Sequence, residues 1–295
     1  MNTEDFDARY HDLDARSNGE IISLILDAQA AGLAATRDVT DAIATAASAI
    51  AGRLAATSTG RLIYAGAGTS GRLGVLDGAE LIPTFGWPPE RGGFLIAGGL
   101  EALIKPIEGA EDGAGAGAAE ATALKLGTDD ALIAISASGT TPYTLAVCEA
   151  ARDAGALTIA IANNASAPLL DAAEHAIAVQ SGAEPIGGST RMTAGTVQKV
   201  TLNLLSTLTM IRLNRTYGGY MVDVLLTNDK LKQRAVRMIC EITGTDTDGA
   251  RAALVAAHDN TKLAILIAKG IGLDDATALL ARHDGNLRQA LAAGD

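Results

Sequence analysis

Five short apolar runs, each emptying into a loop of Gly, Ser or Asn, constrain this chain more than any other feature. Arg61–Ala65 ends at Gly66-Ala67-Gly68, and Phe94–Ala97 at Gly98-Gly99. Ala131–Ile135 ends at Ser136-Ala137-Ser138-Gly139, and Leu157–Ile161 at Ala162-Asn163-Asn164. Ala176–Val179 ends at Gln180-Ser181-Gly182. Helix-like segments separate them. Strands that are apolar throughout are covered on both faces, which is the condition of a parallel sheet. The expected fold is therefore α/β, a mostly parallel sheet with helices on both faces. In such sheets ligands bind at the carboxyl ends of the strands. The Gly/Ser/Thr-rich loops fall at those ends.

Around this sheet the chain divides into three predicted parts. Residues 1–55 read as a polar arm followed by helix, with Ile21, Ile22, Leu24, Ile25 and Ala28 on one apolar face. Residues 56–243 carry the sheet and, after Gly187, long helices over 191–213 and 228–243. Residues 244–295 read as a small C-terminal helical module. A weak repeat at an offset of 25, Leu254–Asp259 (LVAAHD) against Leu279–Asp284 (LLARHD), suggests two similar helix-ending units there. Chance similarity in Ala/Leu-rich helices explains it equally well.

Three loops carry the residue types that hold a small anion. In Ala65–Arg72 (AGAGTSGR), glycines permit close backbone approach, and free amides at a helix start attract negative charge. Gly68, Thr69 and Ser70 are the candidate contacts. The same stretch fits GxGxxG, but the residues that should end a second strand at a ribose-binding acid read Phe85-Gly-Trp-Pro-Pro89, a loop. A phosphate loop is the preferred reading. In Ser136–Tyr143 (SASGTTPY), Pro142 suits a first helical position. Ser136, Ser138, Gly139, Thr140 and Thr141 then converge on one point, and an N-cap alone needs only one such hydroxyl. Gly187–Met192 (GGSTRM) adds Ser189, Thr190 and Arg191. Arg191 suits bidentate anion contact, though a capped helix with a surface arginine fits equally.

Composition narrows the partners. The formal charge is −11 and aromatic residues are 3% of 295, which argues against nucleic acid and anionic membranes. No stretch reaches a membrane span. Residues 196–213 come closest, and Gln198, Lys199, Asn203 and Arg212 interrupt them. The N-terminus lacks the basic and apolar regions of a signal peptide. Cys148 and Cys240 lie far apart, so a reduced cytoplasm is the expected compartment. His11, His175, His258 and His283 form no metal pattern, and no GxSxG elbow is present. The acidic segments Asp77–Glu80 and Glu108–Asp112 read, on their own, as solvated surface.

Together, RLIYAGAGTSGRLGVLDGAELIPTFG (61–86), LIAGGLEALIKPIEGAEDG (95–113), SASGTTPYTLA (136–146), GGSTRMTAGTVQK (187–199), YGGYMVDVLLTNDKL (217–231) and HDGNLRQAL (283–291) resemble the N-acetylmuramic acid 6-phosphate etherase family, built on the sugar isomerase (SIS) fold. The resemblance covers nearly the whole chain. It implies a dimeric enzyme without metal or cofactor that cleaves the D-lactyl ether of N-acetylmuramic acid 6-phosphate to N-acetylglucosamine 6-phosphate and D-lactate. It also raises Glu80 and Glu111 from ordinary acids to the catalytic pair. The chain departs from the family pattern at Thr140, where Arg is usual, and at Thr193, where Lys is. It also departs around Glu80, at Ala79 and Leu81-Ile82, and lacks an Arg-Asn-Pro run in the arm. A sugar-phosphate isomerase and a non-catalytic sugar-phosphate sensor are the alternatives on the same fold. One geometric tension remains. A helix unbroken from Gly71 would carry Glu80 about 14 Å from its phosphate-binding end at ~1.5 Å per residue.

Overall fold

In the computed structural model, which describes residues 2–294, the chain forms two compact units. The first comprises residues 1–78 and 89–209. The second comprises 79–88 and 210–295.

The first unit is built on five parallel strands: β1 (Leu62–Gly66), β2 (Gly92–Ile96), β3 (Ala131–Ser136), β4 (Leu157–Ala162) and β5 (His175–Ala178). Their order is β2-β1-β3-β4-β5. Every residue of β1, β3 and β4 is buried, as the uninterrupted apolar runs require. On one face Ile63, Ala65, Leu132, Ala134, Ala160 and Ala162 share a core with α4 (Ala114–Ala123), α5 (Pro142–Asp153) and α6 (Pro168–Ala172). The alternate residues Tyr64 and Ile135 point to the other face, where Gly74 of α3 (Gly68–Phe85) packs on them. A Cβ added at Gly74 would stand 3.0 Å from Ile135 Cδ1. The expected α/β architecture, with helices on both faces, is thus the observed one.

Two helices precede the sheet, α1 (Asn18–Ala35) and α2 (Thr40–Ala55). Ser17 and Glu20 close a capping box at the start of α1, each side chain bonding the other's backbone N–H. Gly32 lets α1 approach α7 (Thr193–Arg212) closely: a Cβ there would fall 2.7 Å from Thr193 Cγ2. The N-terminal arm folds back onto the sheet unit. Thr3 is fully buried, its N–H donating to Asn164 Oδ1 at 3.0 Å.

The second unit is helical. Its core joins Val222 and Val224 to Ile239 of α8 (Asp229–Thr243), Leu254 of α9 (Thr247–Ala256), Ile265 of α10 (Thr261–Ala268), Leu279 of α11 (Leu273–Arg282) and Leu287 of α12 (Leu287–Gly294). The two repeated segments end α9 and α11. Each then passes a residue of positive φ, Asp259 at 62° and Asp284 at 50°. Each reaches an Asn, 260 or 286, whose Oδ1 accepts the N–H three residues on. The segment 79–88 belongs to this unit through specific bonds. Leu225 N–H donates to Pro83 O at 3.2 Å, and the Arg215 guanidinium lies 5.7 Å from the Trp87 ring.

Candidate functional site

Chain order fixes where a site can form in the first unit. From β1 the chain moves outward to β2, then returns across β1 to β3. The direction reverses between β1 and β3, so their carboxyl ends flank the crevice where parallel sheets bind ligands. The loops at 66–70 and 136–141 follow these two neighbouring strands.

The first loop is as tight as its glycines suggest. Gly66 and Gly71 touch backbone to backbone: a Cβ on Gly71 would stand 2.8 Å from Gly66 O. Gly68 takes φ +54° and begins α3. Ser70 is buried and Thr69 half-buried. The loop also meets the start of α7, since a Cβ on Gly195 would lie 3.4 Å from Thr69 Cγ2.

The second loop gathers its hydroxyls as predicted. Ser136 Oγ and Thr141 Oγ1 are 2.9 Å apart, and Ser136 Oγ accepts from Gly139 N–H at 3.0 Å. Ser138 Oγ accepts from both the amide and the hydroxyl of Thr140, at 3.2 and 3.0 Å. Gly139 holds φ +70°, and a Cβ there would collide with Ala167 Cβ at 2.2 Å, so only glycine fits. Pro142 opens α5 as expected. Asn164 ties the loop to the arm, its Nδ2 donating to Ser138 O and to Thr3 Oγ1.

The third loop leads into α7. Ser189 and Thr190 are half-buried and Arg191 is exposed. Its anchor is a residue that sequence reasoning overlooked. Glu184, 1% exposed, accepts the N–H groups of Thr193 and Ala194 at 2.8 Å each. A carboxylate on the first free amides of a helix is favoured by both hydrogen bonding and the helix dipole. Thr193 Oγ1 is buried without a hydrogen-bond partner among the described residues.

The acidic segments divide. Asp77 is not solvated surface: it is buried, and Tyr64 Oη, Asn203 Nδ2 and Ser206 Oγ donate to it at 2.8, 2.7 and 3.1 Å. These bonds tie α3 to β1 and α7. Glu80 is exposed on α3, which runs unbroken past it to Phe85. The helix that the geometric tension assumed is therefore the one observed. Glu111 is exposed on a 3-10 turn, Ala110–Asp112. Ala110 packs into the sheet core and so fixes that turn. Glu80 lies in the second unit and Glu111 in the first.

Glu111 lines a cavity of about 280 Å³ with Gly68, Arg72, Ala102, Ile107 and Glu108. Among the described residues no His, Cys, Asp and Glu stand together as a metal site, and no helix is long and apolar enough to cross a membrane.

A parallel five-stranded sheet with hydroxyl-bearing loops at its switch point is the architecture of SIS-type proteins. The family models that match agree: the glucokinase regulatory protein N-terminal SIS domain over residues 42–152, and the SIS domain over 110–212. A phosphoheptose isomerase from Francisella tularensis superimposes with a TM-score of 0.50 at 21% identity, covering 67% of this chain and 98% of that one. The sequence itself is closer to another group. It is 45% identical to the N-acetylmuramic acid 6-phosphate etherase of Deinococcus radiodurans, over 99% of this chain and 96% of the relative. It is also 45% identical to that of Streptomyces avermitilis, over 99% and 94%. The chain belongs to the N-acetylmuramic acid 6-phosphate etherase family.

Proposed function

We propose that this enzyme cleaves the D-lactyl ether of N-acetylmuramic acid 6-phosphate, giving N-acetylglucosamine 6-phosphate and D-lactate. The observation that carries the reading is identity of 45% to etherases over nearly the whole of both chains. It favours ether cleavage over isomerisation or mere sensing of a sugar phosphate.

In the proposed mechanism the phosphate rests on the 136–141 loop, where Ser136, Ser138, Gly139, Thr140 and Thr141 supply hydroxyl and amide donors. Gly68, Thr69, Ser70, Ser189, Thr190 and Arg191 extend that cradle. Ring opening makes C1 an aldehyde and acidifies the C2 proton. Glu111 takes that proton, the C3–O bond breaks, and Glu80 protonates the departing lactate oxygen. Water then adds across the C2–C3 double bond, its hydroxyl at C3 and its proton at C2. The sum is substrate plus water to the two products. General acid–base assistance of this kind contributes roughly 10²–10⁴-fold per step. Because α3 continues unbroken through Glu80, the reading assigns the phosphate chiefly to the 136–141 loop and has a second subunit complete the site in a homodimer. No metal or cofactor enters this scheme. The proposed setting is the cytoplasm, in recycling of cell-wall sugars.

The test is to incubate the pure protein with N-acetylmuramic acid 6-phosphate, and separately with the unphosphorylated sugar, in deuterated water. D-Lactate from the phosphorylated sugar, with deuterium at C2 of the product, is the expected result. No lactate from either would refute the activity; lactate without deuterium would refute elimination.

A further inference from the structure

The substrate read above carries two anions, and the cradle accounts for one. Phosphate is common to many sugar ligands, whereas the lactyl carboxylate is what an etherase substrate has and an isomerase substrate lacks. The cavity beside Glu111 contains a cation suited to it. Arg72 stands one turn into α3 and lines this cavity together with Glu111 and Glu108. Its Nε donates to Ala102 O at 3.0 Å and Leu103 O at 3.2 Å, which fixes the plane of the guanidinium. Its two terminal nitrogens, Nη1 and Nη2, have no hydrogen-bond partner among the described residues. Among the described residues no carboxylate, Glu108 and Glu111 included, forms an ion pair with it. A guanidinium held by Nε and left open at both terminal nitrogens presents two parallel donors, the geometry that matches a carboxylate.

We propose that Arg72 is the recognition site for the lactyl carboxylate, binding it through Nη1 and Nη2 while Glu111 faces the sugar carbon being deprotonated. The proposal rests on the etherase reading and deepens it. One cavity then holds the proton-accepting group and the clamp on the leaving group. Among the described residues lining the cavity, with Ala67, Ala97, Ala102 and Ile107 as walls, Arg72 is the one cationic side chain. The cavity volume accommodates a three-carbon acid and part of a sugar, and the hydroxyl loops remain free for phosphate.

The experiment compares N-acetylmuramic acid 6-phosphate with its lactamide, in which a neutral amide of the same size replaces the carboxylate. Wild-type enzyme should favour the acid in kcat/KM by roughly 10²-fold, the worth of a charge-assisted hydrogen-bonded pair. Arg72→Gln should erase that preference to within about threefold, and Arg72→Lys should restore part of it. Inhibition by N-acetylglucosamine 6-phosphate, which lacks the lactyl arm, should stay within about twofold in both variants. An equal loss on acid and amide in Arg72→Gln would mean a purely structural role and overturn the proposal. So would a wild-type enzyme that does not discriminate acid from amide, a measurement that needs no variant. Lactate released from neither compound by wild-type enzyme would instead remove the etherase reading itself.

Discussion

Lys262→Met removes the nearest charge from a buried carboxylate, and its cost can be worked from the ion pair it breaks. Lys262 Nζ lies 2.7 Å from Asp223 Oδ2, with the two side chains 8% and 16% exposed. Arg215 Nη1 stands farther from the same oxygen, at 3.7 Å. Burial pushes the Asp223 carboxyl above its ordinary value, and Lys262 and then Arg215 pull it partly back. Burial likewise pushes Lys262 below its ordinary value, against the pull of Asp223. Removing one partner of such a pair leaves an under-compensated charge and costs about 3–5 kcal/mol; with Arg215 still present, about 3 kcal/mol is expected. The deficit should depend on pH with a definite sign. Without Lys262 the folded-state carboxyl titrates still higher than it does now, so the folded protein gains a proton before the unfolded chain does. The deficit is therefore complete above the folded pKa and shrinks as pH falls through it towards the unfolded value. Trp87 is the chain's single tryptophan and lies in the same unit, so its emission in a urea titration follows this transition. Asp223→Asn combined with Lys262→Met should recover more than half the loss. A change below about 1 kcal/mol in the single variant, or an equal deficit at pH 5 and pH 8, would refute the reasoning.

Three further outcomes follow from the first unit and the proposed chemistry. Glu111→Gln should lower lactate release by roughly 10²–10⁴-fold and abolish deuterium exchange at C2, read by mass spectrometry, while inhibition by N-acetylglucosamine 6-phosphate changes little. Glu184→Ala should cost about 2–5 kcal/mol by leaving two buried N–H groups unpaired, and should speed hydrogen exchange of the first amides of α7 most. Gly139→Ala should weaken phosphate-ligand binding by more than tenfold in calorimetry, because the new methyl meets Ala167 and the φ of +70° disfavours any side chain. Tenfold is about 1.4 kcal/mol, a small part of what such a clash costs when the loop must shift.

The sheet and its loops were legible because each is encoded locally. A buried parallel strand must be apolar along its length, and 131–136 is apolar from Ala131 to Ile135. Loops that grip anions must spend Gly, Ser and Thr within a few positions, as 136–141 does. What the sequence hid depends on partners far along the chain. Asp77 resembles a surface acid until Asn203 and Ser206, 126 and 129 positions away, close on it. Glu184 lies amid a loop and shows no sign of capping a helix until the chain turns back on it. The helix α3 also carries Pro83 near its end without breaking. A proline within the last turn costs less, because few helical bonds remain beyond it. The catalytic assignment of Glu80 and Glu111 was not legible from local chemistry at all and came through family resemblance.

Pro83 O, Phe85 O, Gly86 O and Trp87 are gathered by residues 215–225, more than a hundred positions downstream. The helical unit is therefore discontinuous in sequence: its floor is a ten-residue insert from within the sheet-bearing half. A gene cut once at position 209 would keep the sheet unit entire but strip the helical unit of residues 79–88, so the helical unit cannot be inherited as a separate C-terminal piece.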